Sequence, residues 1–125
     1  MLNKVILAGR LTRDPETRTT TTGTKVTSFT LAVDRDYKNG GDTVDYIDIV
    51  AWRTTADFAE QYFKKGMLVN VVGRLQMRQW TDKNNNKRTT AEVVAESVYF
   101  AERKQDKPKD AEFDEIYDMD GELPF

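Results

Sequence analysis

Two stretches of this chain combine strict alternation of side chains with a glycine in mid-run. In the first, Val5, Leu7, Gly9 and Leu11 fall on one face and Lys4, Ile6, Ala8 and Arg10 on the other. In "MLVNVVGRLQMRQW", Val69, Val71, Leu75 and Met77 share a face, and Gly73 interrupts the run. A period of two is that of a β-strand with one face buried. A glycine inside such a strand marks a bend or a place where another backbone comes close. Long strands that bend favour a curved, closed sheet over a flat one.

The remaining pattern supplies the other walls. "KVTSFTLAVDR" reads as a strand with Thr27, Phe29, Leu31 and Val33 on one face, after a loop or ragged strand in "DPETRTTTTGTK". "DYKNGGD" carries a strong turn signal in Asn39-Gly40-Gly41, and "TVDYIDIVAW" is the returning strand. "RTTADFAEQYFKKG" is a helix: Phe58, Ala59, Tyr62 and Phe63 repeat at helical spacing. Thr54 or Thr55 suits its N-cap, Lys64 and Lys65 the negative end of its dipole, and Gly66 the position just past it. "TDKNNNKR" is a polar turn and "TTAEVVAESVYF" a last strand. Phe29, Phe58, Phe63 and Phe100 are expected in the core, and Tyr62 in packing the helix.

The pattern stops after Glu102, so residues 1–102 are expected to form one domain and residues 103–125 a disordered tail. Three strands, a helix and two strands is the order of an OB-fold: all-β with one helix, a five-stranded Greek-key barrel that often binds oligonucleotides. A five-stranded α+β sheet has the same order.

Composition narrows the chemistry. The chain has no cysteine and no histidine, which removes thiolate metal sites and the commonest general base. No cofactor is expected. The N-terminus does not read as a signal peptide, and no run approaches the roughly 20 apolar residues of a membrane span. A cytoplasmic protein is expected. The net charge of −2 conceals segregation: residues 106–125 carry eight acids and two lysines, whereas residues 1–105 carry 17 Lys+Arg against 13 Asp+Glu. A basic body with an acidic tail suggests a polyanionic partner or a solubilising tail.

Alternation selects the surface such a partner would meet. In "DYIDIVAW", Ile47, Ile49 and Ala51 are core residues, so Tyr46, Asp48, Val50 and Trp52 point outward. In "VVGRLQMRQW", Arg74, Gln76, Arg78 and Trp80 share the polar face. Tyr37 lies in the hairpin tip between Arg35 and Lys38. Singly, each ring is better read as part of a subunit interface or as covered by a loop. Together with Arg53, Arg74 and Arg78 they suit single-stranded nucleic acid, whose phosphates seek cations and whose bases stack on flat rings.

The residues "MLNKVILAGRLTRDPE", "SFTLAVDR", "DYIDIVAW", "FKKGMLVNVVGRLQ", "RQWTD" and "AEVVAESV" resemble the bacterial single-stranded DNA-binding proteins, in order and without large gaps. The resemblance implies an OB-fold homotetramer wrapped by single-stranded DNA. It places stacking rings at Tyr37, Tyr46, Trp52 and Trp80, and backbone-tracking cations at Lys4, Lys65, Arg78 and Arg88. The closing "DMDGELPF" resembles the family's acidic tip, which implies that Asp118, Asp120, Glu122, Leu123, Pro124 and Phe125 recruit replication, recombination and repair proteins. Family members commonly carry a long Gly/Gln/Pro-rich linker, whereas here only about 15 residues separate Glu102 from Asp118. Two other readings are an SSB-like primosomal scaffold and a nuclease holding Mg²⁺ on Asp34, Asp36, Asp42, Asp45 and Asp48. Those acids fit a solvated loop better.

Overall fold

The computed structural model describes residues 1–36 and 43–102. Tyr37, Asp42, the Asn39-Gly40-Gly41 turn and the whole acidic tail with its tip lie outside the described residues. The elements run β1 (Val5–Leu11), β2 (Glu16–Thr19), β3 (Lys25–Asp34), β4 (Val44–Trp52), α1 (Arg53–Tyr62), β5 (Leu68–Thr81) and β6 (Lys87–Phe100).

The strands hydrogen-bond in the order β1-β5-β6-β4-β3, and β3 returns to β1 through Arg10↔Ala32 and Leu11↔Leu31. Five strands thus close into a ring, as the OB-fold reading requires. The ragged stretch resolves as β2, a short sixth strand paired with β3 outside the ring. β4 and β6 run parallel through Ile49↔Val93 and Val50↔Val94, and the other pairings are antiparallel.

Both strand glycines sit where the backbone of another strand comes close. A Cβ on Gly9 would stand 2.7 Å from the Ala32 carbonyl oxygen, and one on Gly73 would run into the backbone carbonyl of Val94. Gly73 also lies at the irregularity where β6 holds an extra residue, Glu96, against β5. The bend allows one 14-residue strand to serve two surfaces, barrel wall and projecting ribbon.

Inside the ring, Phe29, Leu31, Ile49, Ala51, Val69, Val71 and Val93 are buried. Phe29 meets Phe63 edge-to-face with centroids 5.8 Å apart. α1 buries Ala56 and Ala59 and packs against β3, β4 and β6. The buried Thr27 hydroxyl donates to the Ala56 carbonyl at 3.2 Å, which satisfies a polar group in the core.

Several expectations are corrected. Trp52 occupies the N-cap of α1 without a side-chain cap, so neither Thr54 nor Thr55 has that role. Asp57, in the same helix, pairs with Lys25 at 2.9 Å. The helix ends at Tyr62, so Lys64 and Lys65 fall beyond its last turn, while Gly66 does adopt φ +90° past the end. Phe100 is half-exposed, in a cluster with Phe58, Tyr62 and Phe63. Leu75 and Met77 keep the phase of Val69 and Val71 yet are exposed. Alternation decides which face a side chain takes; whether anything covers that face depends on where the barrel ends.

Candidate nucleic-acid interface

β4 gives the outer face its first two rings. Its burial alternates: Ile49 and Ala51 are fully buried, while Tyr46 and Trp52 are exposed, as expected. Trp52 lies six positions beyond Tyr46 on one face, roughly 20 Å along a strand. Tyr46 stands across from Ala32 on β3, and Trp52 across from the buried Val26.

The third ring stands on the ribbon that β5 and β6 extend beyond the barrel. Trp80 pairs across the strands with Arg88, and its indole N–H donates to the Thr90 hydroxyl at 2.8 Å. That bond fixes the ring while leaving it 41% exposed, as Trp52 also is. The ribbon's turn is built on Asp82. Its Oδ1 accepts the backbone N–H groups of Asn84 and Asn86, and its Oδ2 accepts Arg88 Nε at 2.9 Å. Asn85 takes φ +65°, a conformation asparagine tolerates. The Asn86 amide, then the Arg88 guanidinium and the remaining turn donors, hold the Asp82 carboxyl below its ordinary pKa.

Between the barrel and Trp80, the β5 side chains are tied in sequence. Arg74 Nη1 donates to Gln76 Oε1 at 3.3 Å. Gln76 Nε2 donates to Glu92 Oε2 at 3.3 Å, and Arg78 Nε to Glu92 Oε1 at 3.2 Å. Glu92 was not singled out by its sequence. Its only signal is polarity within the apolar run "TTAEVVAES", on the strand facing the arginines.

The other cations are placed more variously. Arg35, at the end of β3, is held by Asp45 through its Nε and through Nη2 at 2.7 Å, and this guanidinium lowers the Asp45 pKa. Lys4 pairs with Glu96 at 2.7 Å, just before β1. Arg53 follows Trp52 with φ +57°. Lys65 is separate, beyond the helix, where its backbone N–H donates to Asp14. The structure therefore places Tyr46, Trp52, Trp80, Arg74, Arg78 and Arg88 on β4, β5 and β6, with Arg53 at the start of α1 and Arg35 and Lys4 at the strand ends. It leaves Lys65 near the far end of β1.

Among the described residues no group of three or more acidic side chains is gathered as a metal site. Asp45 is bound by Arg35, and Asp48 accepts the Thr30 hydroxyl at 3.0 Å. No helix of the described residues is long and apolar enough to cross a membrane.

Known proteins resemble this chain over most of its length. A single-stranded DNA-binding protein of Caldanaerobacter subterraneus subsp. tengcongensis is 43% identical over 141 residues, covering 99% of this chain and 94% of that protein. One from Thermotoga maritima is 50% identical over 106 residues, covering 82% and 75%. Single-stranded DNA-binding protein 3 of Listeria innocua is 46% identical over 107 residues, covering 84% and 67%. The sequence profile of the Single-strand binding protein family matches residues 2–101. The chain belongs to that family.

Proposed function

We propose that the protein binds single-stranded DNA without reading its sequence, and that it is a binding protein rather than an enzyme. The observation that carries this is the placing of Tyr46, Trp52 and Trp80, all exposed, on strands whose outward positions also hold Arg74, Gln76 and Arg78. Bases stack on the rings, each worth about 1–3 kcal/mol whatever its identity. The guanidinium groups meet phosphates. Duplex DNA keeps its base faces stacked on one another and cannot use the rings. Tyr37, Lys4, Arg35, Arg53, Lys65 and Arg88 complete the proposed contact set.

Titration with oligo-dT while tryptophan fluorescence is followed tests the reading, because both tryptophans of the chain stand on this face. Quenching is expected, with affinity falling as salt rises by a slope of about −0.7 per phosphate neutralised. No quenching at low salt would overturn the stacking assignment.

Assembly as a homotetramer belongs to the same proposal. Ile6, Leu75 and Met77 are 72%, 46% and 58% exposed. Nearby, a cleft of about 300 Å³ is lined by Val5, Leu7, Ile47, Leu75, Ala91 and Val93, together with Tyr46 and Asp48. Apolar surface of this kind suits burial against further copies. Native mass measurement should give four subunits; a monomer at micromolar concentration would contradict it.

The tail, residues 103–125, is assigned to recruitment of replication, recombination and repair proteins. Phe125, Leu123 and Pro124 are the apolar anchor and Asp118, Asp120 and Glu122 the charged rim. Work in the cytoplasm, at the nucleoid, follows from that role. Deleting Phe125 should abolish partner capture and leave oligo-dT affinity unchanged; retained capture would refute the assignment.

A further inference from the structure

The cations of the interface are unequal once their partners are counted. Lys4 and Arg35 pair with carboxylates that are themselves almost half exposed, at 42% and 46%. Such pairs are worth about 0–1 kcal/mol, and a phosphate can displace the carboxylate into water. Arg78 is different. Its partner Glu92 has a side chain only 8% exposed, on the buried stretch from Glu92 to Ala95 in β6.

A carboxylate in that position cannot swing away. It also binds Gln76 through its second oxygen, and Gln76 in turn accepts from Arg74. One buried acid thus orders three consecutive outward side chains of β5. It takes Arg78 by Nε, and among the described residues no protein acceptor is bonded to the two Nη groups.

We infer that Glu92 is a positioning residue that both aims Arg78 at the nucleic acid and cancels its charge. Arg78 then acts as a directed hydrogen-bond donor and not as a free cation. Phosphate arriving at the Nη groups meets a neutral pair, and few counterions are released there. Binding at this point is oriented and weakly salt-dependent, which leaves the salt response to other cations such as Arg53 and Arg74. The inference rests on the single-strand reading.

The test is the slope of log affinity against log salt for oligo-dT, measured for the unaltered protein and two variants. Glu92→Gln keeps an oxygen for Arg78 Nε and removes the charge. Its slope should steepen by about 0.7, the increment of one added phosphate neutralised. Its affinity relative to the unaltered protein should therefore fall about 2.6-fold between 50 and 200 mM salt. The double variant Arg78→Gln, Glu92→Gln replaces the pair by neutral groups and guards against misfolding of the single one. Its slope should equal that of the unaltered protein. If Arg78 were a free cation and Glu92 a structural residue, the double variant would be shallower by about 0.7 and the Glu92→Gln slope unchanged, and the inference would be overturned. Failure of the unaltered protein to bind oligo-dT would instead overturn the single-strand reading, and this inference with it.

Discussion

Trp80→Ala is the sharpest perturbation of the interface. The ring lies on a ribbon clear of the barrel, is 41% exposed, and makes one side-chain hydrogen bond, to Thr90. Truncation removes little from the core, so the cost to folding should stay within about 0.5 kcal/mol, as for surface changes in general. If one base stacks on it, binding should lose about 1–3 kcal/mol, or roughly 5- to 140-fold in Kd. Anisotropy of labelled oligo-dT at fixed salt measures this directly, and Trp52 remains as the fluorescent reporter. Tyr62→Ala is the control: Tyr62 is similarly exposed, at 46%, but packs with Phe58 and Phe100 beside the helix. Its loss should leave Kd within about twofold, since it touches none of the proposed contacts. Equal affinity of Trp80→Ala and the unaltered protein would refute stacking at this position. Equal losses from Trp80→Ala and Tyr62→Ala would refute the choice of face.

Other outcomes follow from the same structure. Gly73→Ala would drive a methyl into the Val94 carbonyl, which is backbone and cannot turn aside, so a loss of about 1–3 kcal/mol is expected in denaturant unfolding. Phe29→Ala, at 1% exposure, should cost about 3–5 kcal/mol by the same measurement. Asp82 is held below its ordinary carboxyl pKa of 3.8 by the turn's donors. Its contribution to the ribbon is therefore complete above that value and is lost as pH falls through the lower folded value. Trp80 fluorescence in a Trp52→Phe background should change in that acid range, and Asp82→Asn should remove the change.

Much of the fold was legible in the chain. Where a strand is covered on one face, period-two alternation reports it, and this identified Ile49, Ala51, Val69 and Val71 as core and Tyr46, Trp52 and Trp80 as outward. Glycine is the one residue without a Cβ, so Gly9 and Gly73 showed in advance where backbones meet. The helix caps were misread because capping depends on how the chain enters the helix. Here Trp52 ends a strand and turns directly into it.

What alternation could not show is how far the barrel extends. Leu75 and Met77 have core residue types in core phase, and only the closure of five strands determines that they lie past its end. Nor could the sequence pair charges distant along the chain. Arg78 and Glu92 are 14 residues apart and meet because β5 and β6 form a hairpin in this register. Which faces are apolar and which rings stand outward follow from local period and residue type, and so were readable along the chain. Which cations are neutralised and which apolar side chains remain uncovered emerge only from the folded chain, because both depend on what another strand brings alongside.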